Sequence, residues 1–429
     1  MLVHLFGATS SPSCAGYALR RTAADNESEH NVAAVETVRN NFYVDDCLKS
    51  VKTTEEAIEL SSQLRELLAK GGFRLTKWLS NDRQVLEKIP KSERAATVFN
   101  LDLQELPVER TLGVLWNVET DKFTFNIKVK ERPNTRRGIL STTSSVYDPL
   151  GFVAPFILVA KMLLQDICTQ GLGWDQEVSS QDLSRWTHWL EELPQLRNVS
   201  INRCLRPTVG EHKHDLHVFC DASQRGYAAV AYLRSTCQGN THCAFVLGKT
   251  RLSPLKVMTI PRLELSAAVL ACAVSQTIRK ELEIPVKGVT FWTDSTSVLQ
   301  YIRNESRRFH TFVANRIEKI HAVSDPSQWR YVDTKSNLAD EGSRGIHACE
   351  ITEDCMWLRG PEFLWKADTE WPIMPVSIDN KDLEFKTPPV HSLACRATMM
   401  DVILRYSTWT KLLKGLAWLL KFKKYLLRN

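Results

Sequence analysis

Four carboxylates occur along the middle of the chain at positions where a sheet could bring them together. Each follows a predicted strand or opens a predicted helix: Asp221 in HVFCDAS, Glu264 in TIPRLELSAAVL, Asp294 in VTFWTDST and Asp340 in SNLADEGSRG. The carboxyl ends of strands and the N-termini of helices meet at one edge of an open sheet. We therefore expect these four side chains to lie close together in space.

Such a cluster predicts a metal-dependent hydrolase. Four carboxylates repel one another unless cations lie between them, and Mg²⁺ prefers carboxylate oxygens. Two Mg²⁺ ions about 3.5–4 Å apart hold both the attacking water and the leaving oxygen of a phosphodiester. Taken singly, an aspartate after a strand is more often a turn former or a helix N-cap, and Asp294, followed by Ser-Thr-Ser, looks equally like a cap.

The elements that position these carboxylates follow from hydrophobic periodicity. Strands are predicted at 216–220, 227–233, 243–247, 289–293 and 328–332, and helices at 261–282, 295–303 and 309–323. Three successive strands, followed by helices that alternate with strands, predict a mixed sheet flanked by helices.

The first half of the chain has a different pattern. It predicts an opening loop, a short strand near residues 42–44, a helix over 54–70 that ends at Gly71 and Gly72, and strands at 111–119 and 123–129. Residues 136–199 are predicted to be mainly helical, and residues 202–215 are predicted to form a linker.

Composition limits the class of protein. The 429 residues, 43% of them hydrophobic, suffice for about two to four domains. No apolar run approaches the roughly 18 residues of a membrane span, so we expect no membrane partner. A formal net charge of +6 is compatible with nucleic acid without requiring it. Eleven cysteines without a Cys-x-x-Cys pair predict reduced thiols in an intracellular protein, cytoplasmic or nuclear.

The order FCDAS, PRLELSA, TDST and NLADEGSRG resembles the ribonuclease H domain of retroelement polyproteins. This resemblance implies that two Mg²⁺ ions assist hydrolysis of the RNA strand of an RNA–DNA hybrid, with the same four carboxylates as metal-binding catalytic acids. Some ribonucleases H have a histidine shortly before the last acid. Here the nearest upstream histidine is His321, too far back to match, so that proton shuttle is expected to be absent, as it is in gypsy-like relatives.

A second pair of acids, Asp45 and Asp46, lies in NFYVDDCLKSV, where a tight turn between two strands would expose both to a metal. An Asp-Asp turn alone is common. Its surroundings, FGATSSPS before it and GGFRLTKWLSN and TLGVLW after it, resemble the later palm motifs of a reverse transcriptase. That resemblance implies that Asp45 and Asp46 are the metal-binding pair of an RNA-directed DNA polymerase, and that Lys77 is the basic residue of the next motif.

The segments NFYVDDCLKS, LTKWLSN and SSVYDPLGFVAP are similar to the Bel/Pao class of long-terminal-repeat retrotransposons, over roughly residues 5–429. The similarity implies a fragment of a pol polyprotein with a mixed α+β and α/β multidomain fold. Its expected parts are a partial palm at 1–118, a thumb and connection at 119–205, a ribonuclease H-like mixed β-sheet flanked by helices at 206–345, and a spacer towards an integrase at 346–429.

A polymerase also needs a third carboxylate from an earlier palm strand, and fingers that close over the nucleotide. Both would precede residue 1, so we expect them to be missing and the palm to be inactive alone. The remaining pol segments, fingers and integrase, are candidate partners. The terminal segment ILRYSTWTKLLKGLAWLLKFKKYLLRN is basic and amphipathic, and we expect it to pack against the integrase rather than to bind a membrane surface or nucleic acid.

Basic residues near the acids are candidates for contact with a nucleic-acid backbone. Arg303, Arg307 and Arg308 follow the helix after Asp294, where the phosphates of a hybrid would run, although a solvated helix end explains them almost as well. A zinc site of His212, His214, His217 and Cys220 is disfavoured because neighbouring side chains of a strand diverge.

Two functions from different classes stay open on the residues alone. One is an Mg²⁺-dependent ribonuclease H, and the other is a catalytically idle retroelement relic that binds nucleic acid or a protein without cleaving. The presence of all four acids favours the enzyme. A polymerase completed by another chain is a third possibility without positive evidence.

Overall fold

The computed structural model describes residues 9–98, 106, 108–111, 114–206, 212–304, 308–373, 384, 400 and 403–427. The chain divides into two compact units, Met1–Glu384 and Phe385–Asn429. The first unit contains the acid cluster.

The N-terminal part of this unit is a small helical cluster with one hairpin. Its helices and strands are α1 (Ser11–Asp25), α2 (Val32–Asn40), β1 (Phe42–Tyr43), β2 (Asp46–Cys47), α3 (Thr54–Lys70) and α4 (Arg83–Lys88). The predicted helix over 54–70 is confirmed, and it begins at the N-cap Thr53, whose side chain accepts a hydrogen bond from the backbone N–H of Glu56. The predicted opening loop is wrong over residues 11–25, because α1 buries Leu19 and Ala23 against α2 and α3.

A second, antiparallel sheet has the strand order β3 (Val108–Thr111), β4 (Val114–Asn117), β5 (Lys122–Thr124) and β6 (Ser200–Asn202). The strand predicted at 123–129 ends early, at Thr124. The backbone carbonyl of Ile127 accepts hydrogen bonds from Arg197 Nε and Nη2, at 3.2 and 2.6 Å, instead of a strand partner. Helices α5 (Arg136–Thr143), α6 (Ala154–Thr169) and α7 (Ser180–Glu192) follow, as the helical prediction for 136–199 requires.

The main sheet contains β7 (Lys213–Ala222), β8 (Gly226–Cys237), β9 (Asn240–Leu252), β10 (Gly288–Thr293) and β11 (Trp329–Tyr331), in the order β11-β10-β7-β8-β9. The strands β7, β8 and β9 are antiparallel, whereas β10 runs parallel to both β7 and β11. The remaining helices are α8 (Ile260–Glu281), α9 (Thr296–Arg303), α10 (Thr311–His321), α11 (Ala339–Arg344) and α12 (Met356–Arg359). The prediction of a mixed sheet flanked by helices is confirmed.

Short 3₁₀ helices connect several of these elements: Glu27–Glu29, Lys91–Glu93, Ala96–Val98, Leu193–Asn198, Pro326–Gln328, Thr334–Ser336, Ala348–Glu350, Glu362–Trp365 and Asp368–Glu370. Helices cover both faces of the sheet, which explains why β7 and β8 are almost continuously apolar. On one face, α8 packs on β7 and β8, and on the other, α11 packs on β7 and β8 and α6 packs on β9.

The core on the α6 and α11 face crosses the boundaries predicted at residues 205 and 345. It joins Phe156 of α6, Tyr232 of β8 and Trp357 of α12 in one cluster. The Tyr232 hydroxyl donates a hydrogen bond to the carbonyl oxygen of Trp357 at 2.6 Å, and Trp357 Nε1 donates to that of Gly151 at 3.2 Å. Residues on both sides of the predicted ribonuclease H-like segment thus help to form its core, while the division into functional domains stays a prediction.

The segment SSVYDPLGFVAP has a structural role in this packing. The carboxylate of Asp148 accepts hydrogen bonds from the backbone N–H groups of Gly151, Phe152 and Val153, each at 2.9 Å, and burial raises its pKa to about 6. Gly151 has φ +80°, and a Cβ there would collide with the carbonyl oxygen of Gly248 in β9. The glycine therefore allows the loop before α6 to approach the sheet closely.

The second unit contains the helix Trp409–Leu426, which begins after the N-cap Thr408. Leu412 is buried, whereas the helix also carries exposed apolar side chains such as Trp418 and Phe422. Among the described residues, no helix combines the length and the apolar character needed to cross a membrane.

Candidate active site

The structure brings the four predicted carboxylates into one open pocket at the end of the main sheet. Asp221 is the second-to-last residue of β7, and Asp294 directly follows β10. Glu264 is the fifth residue of α8, and Asp340 is the second residue of α11. Phe219 of β7 pairs with Trp292 of β10, so Asp221 and Asp294 lie side by side two residues further along these parallel strands.

Neighbouring polar side chains hold these carboxylates in place. Glu264 Oε2 accepts a hydrogen bond from Ser295 Oγ at 2.6 Å, and Ser295 also caps α9. The side chain of Asn337 donates to Asp294 Oδ1 at 3.0 Å and to the backbone carbonyl of Cys220 at 3.2 Å. The cap predicted at Asp294 is provided by Ser295 instead, and the sequence gave no separate signal for Ser295 or Asn337 as partners of the acids.

Two further contacts complete the pocket on the α11 side. Ser343 Oγ donates a hydrogen bond to Asp221 Oδ2 at 3.0 Å, and Arg344 Nε donates to Asp340 Oδ1 at 2.5 Å. Arg344 and Arg225 both line the pocket. Arg225 is anchored by its Nη2 to Asp166 Oδ1 of α6 at 2.6 Å. Both arginines belong to the motifs around the acids, DASQRG and LADEGSRG, but were not singled out there.

The carboxylates raise the energy of one another's ionised forms. Burial, followed by repulsion from Asp294 and Asp340, raises the pKa of Asp221 to about 7. Burial also raises the pKa of Glu264. Next to the pocket, burial together with Glu350 and Asp340 raises the pKa of Glu341 to about 7. A divalent cation bound to these oxygens would remove the repulsion, so the donor set fits Mg²⁺.

The oxygens of the four carboxylates are not all gathered around one point. Among the described residues, the group of three or more potential ligands whose atoms all lie within 4.8 Å of one another is elsewhere, at His188, Glu192 and His347. The acids around Asp221 are more widely spaced.

Binding of Mg²⁺ to the acid cluster is expected to weaken at low pH. Because the pKa of Asp221 is raised to about 7, this carboxyl group carries a proton below that pH, and the metal must displace it. We expect the affinity to fall by up to about tenfold per pH unit below 7 and to level off above it. Isothermal titration with MgCl₂ at pH 6, 7 and 8 measures this dependence, and equal affinities at pH 6 and pH 8 would contradict it.

The second predicted pair of acids lies in the hairpin of β1 and β2, away from this pocket's lining. Tyr43 pairs with Asp46, and Asp45 lies in the turn beside Val44, which has φ +56°. Both aspartates are exposed. Lys77 is also exposed and has φ +59°, which places its backbone in the left-handed region. The predicted tight turn is present, and the polymerase roles of these residues stay predictions.

Of the three predicted phosphate-binding arginines, two are described. Arg303 ends α9, and its Nη2 donates a hydrogen bond to the backbone carbonyl of Trp329 at 3.2 Å. Arg308 is exposed, and Arg307 lies outside the described residues. Neither Arg303 nor Arg308 lines the acid pocket, whose lining includes Arg225 and Arg344 instead.

The histidines before Asp221 do not converge on a metal position. His214 Nδ1 is hydrogen-bonded to Ser235 Oγ at 2.8 Å, whereas His217 Nδ1 accepts from Trp292 Nε1 at 3.1 Å. Burial lowers the pKa of His217 to about 3, so it packs as a neutral core residue.

Residues 135–295 match the model of a family described as Pao retrotransposon-like RNaseH-like domain. This part of the chain is similar to that family. The match covers α5–α7, β6–β10 and α8, and it includes Asp221, Glu264 and Asp294 but ends before Asp340. The matched segment begins before residue 206, and α6 within it shares a core with the main sheet.

Three solved structures are similar to this chain at low sequence identity. The N-terminal RNase H domain of a Mycobacterium tuberculosis protein, fused to maltose-binding protein, is 15% identical, with 30% of this chain and 91% of that chain covered and a TM-score of 0.24. RNase H1 of Halobacterium salinarum is 10% identical, with 30% and 94% covered and a TM-score of 0.22. A foamy viral protease-reverse transcriptase in complex with dsDNA is 15% identical, with 77% and 60% covered and a TM-score of 0.20. No curated protein matches the chain.

Proposed function

We propose that this chain hydrolyses the RNA strand of RNA–DNA hybrids at a two-Mg²⁺ site formed by Asp221, Glu264, Asp294 and Asp340. The observation that carries the proposal is the convergence of these four carboxylates, from β7, α8, the end of β10 and α11, in one open pocket of an RNase H-like sheet. Bound Mg²⁺ would supply an activated water and stabilise the leaving oxygen.

The neighbouring side chains have positioning roles in this proposal. Ser295, Asn337 and Ser343 each donate a hydrogen bond to one carboxylate, which fixes the orientation of that group. Fixed ligands reduce the reorganisation needed when the metals and the substrate bind.

Arg225 and Arg344 provide positive charge at the same pocket, where a phosphate backbone would lie. Arg344 already forms an ion pair with Asp340, so binding of metal to Asp340 would release its guanidinium towards the substrate. His321, the nearest histidine before Asp340, has its Nε2 hydrogen-bonded to the carbonyl of Ile302 at 2.8 Å. It takes no part in the proposed reaction.

The wider assignment is also a proposal. The chain derives from the pol polyprotein of a Bel/Pao retrotransposon, and residues 1–118 form a partial palm in which Asp45 and Asp46 were the polymerase metal ligands. The exposed position of both aspartates in a tight hairpin supports this role. We propose that this palm does not incorporate nucleotides alone. Fingers and integrase segments are the proposed protein partners, and Lys77, Arg303, Arg307 and Arg308 remain proposed contacts to nucleic acid.

Cleavage of end-labelled RNA tests the main proposal. The purified full chain is incubated with the RNA in a hybrid with DNA, in an RNA duplex and as a single strand, each with MgCl₂ or with EDTA. We expect cleavage only of the hybrid and only with Mg²⁺. A folded protein that binds the hybrid but leaves the RNA intact would instead establish the binding relic as the function.

A further inference from the structure

A second group of potential metal ligands lies outside the acid pocket, between α7 and the segment that follows α11. His188 and Glu192 are one helical turn apart on α7, so both side chains project from the same face of the helix. His347 follows the end of α11. His188 Nε2 lies 3.0 Å and His347 Nδ1 lies 2.7 Å from the same oxygen, Glu192 Oε1.

We propose that His188, Glu192 and His347 form a binding site for a Zn²⁺ ion. The three ligand atoms all lie within 4.8 Å of one another, and within the described ranges this is the group of His, Cys, Asp and Glu side chains that meets this criterion. Two imidazoles and one carboxylate are a known ligand set for zinc with an open fourth position. Mg²⁺ prefers an all-oxygen environment, so the proposed site selects a different ion from the acid cluster.

The ligands are held by contacts of their own. The second carboxylate oxygen of Glu192, Oε2, accepts a hydrogen bond from the backbone N–H of Ala348 at 3.1 Å. Glu350 Oε2 accepts one from the backbone N–H of His347 at 2.7 Å, and these two residues form a capping box on the 3₁₀ helix Ala348–Glu350. Such outer contacts fix the direction of metal ligands before the ion arrives.

The side chains of the three proposed ligands are exposed enough for an ion to reach them from solvent. The side chain of Glu192 is only 12% exposed, whereas those of His188 and His347 are 65% and 62% exposed. A metal can therefore enter from solvent between the two imidazoles and meet a fixed carboxylate beneath them. The alternative is an ordinary ion pair, in which one carboxylate oxygen accepts hydrogen bonds from two imidazoles and no metal binds.

Zinc at this position would connect two parts of the fold that lie far apart in the sequence. His347 lies three residues after the end of α11, which carries Asp340 of the acid pocket, and His188 and Glu192 belong to α7. A metal bound by all three side chains would cross-link these elements. Because the ion binds only the folded chain, it would also raise the melting temperature.

Titration of the metal-free full chain with ZnCl₂, in the presence of excess MgCl₂ to occupy the acid cluster, tests the proposal. Isothermal titration gives the stoichiometry, and the visible absorption of added Co²⁺ reports the coordination. We expect His188→Ala and His347→Ala each to weaken one binding event at least tenfold and to abolish its contribution to the melting temperature. Glu192→Gln, which keeps the size of the side chain, should weaken the same event.

His310→Ala is the matched control, since His310 is an exposed histidine outside the group. It should leave zinc binding unchanged, as should Asp294→Asn in the acid pocket. Absence of zinc binding by the folded protein would overturn the proposal, and so would binding that His188→Ala and His347→Ala leave intact. Neither result depends on hybrid cleavage, so failure of the zinc site and failure of the ribonuclease proposal are distinguishable.

Discussion

Replacement of Asp221 by asparagine is expected to abolish hybrid cleavage while stabilising the metal-free protein. Asp221 lies at the centre of the acid pocket, beside Asp294 on the neighbouring strand and within the field of Asp340. Loss of one carboxylate of the proposed metal site should reduce the rate by about 10³-fold or more. The Asp221→Asn side chain keeps its size and can still accept the hydrogen bond from Ser343 Oγ.

The effect on stability follows from the raised pKa. Burial and the neighbouring carboxylates raise the pKa of Asp221 to about 7 in the folded state, against about 3.9 in an unfolded chain. Its contribution to stability is therefore fully present below pH 4 and is lost as the pH rises through 7. Without metal at pH 8, we expect Asp221→Asn to increase the free energy of unfolding by about 2 kcal/mol, and to have little effect near pH 4.

Urea unfolding in EDTA at both pH values measures the stability, and the hybrid assay measures the rate. Glu341→Gln is the matched control, because burial raises the pKa of Glu341 to about 7 as well but its side chain does not line the pocket. It should stabilise the metal-free protein and leave cleavage intact. An Asp221→Asn protein that cleaves at the wild-type rate would contradict the proposed catalytic site.

Replacement of Trp357 by alanine is expected to have the largest effect on stability. Trp357 is fully buried, contacts Phe245 of β9 and donates a hydrogen bond to the carbonyl of Gly151. Trp357→Ala leaves a cavity and removes this hydrogen bond, although the carbonyl oxygen of Gly151 still accepts one from the backbone N–H of Ala154. We expect the free energy of unfolding to fall by about 3–5 kcal/mol. Urea denaturation followed by circular dichroism measures this loss.

Trp174→Ala serves as the control in the same unit. Trp174 is 50% exposed and stacks on Arg136, so its removal should cost no more than about 1 kcal/mol. Similar losses for the two variants would show that residues beyond 345 do not belong to the core of the RNase H-like domain. The larger loss for Trp357→Ala would place the domain's C-terminal limit after α12.

The sequence alone was sufficient to predict the main sheet and the positions of its acids. All five strands and three helices predicted between residues 216 and 332 are present, because alternation of apolar residues and helical spacing are local properties. The position of an acid at the end of each element then determines which sheet edge it occupies. This explains why Asp221 and Asp294, 73 residues apart in the sequence, could be predicted to meet.

Other features depended on partners that no local pattern specifies. The apolar residues of MWLRGPEFLW have no periodicity that distinguishes a spacer from a core segment. The segment belongs to the core because Trp357 packs against one face of the main sheet. The same holds for residues 11–25, whose helix is stabilised by burial against α2 and α3 rather than by strong local signals.

The sequence by itself therefore determined the type and order of the elements in the RNase H-like sheet and the edge at which its acids gather. Only the tertiary structure decided which side chains surround that edge. Ser343 donates a hydrogen bond to Asp221, Ser295 donates one to Glu264, and His347 meets Glu192 across 155 positions of the chain. The physical reason is that periodicity records which face of an element is buried, whereas contacts between polar side chains depend on how separate elements dock.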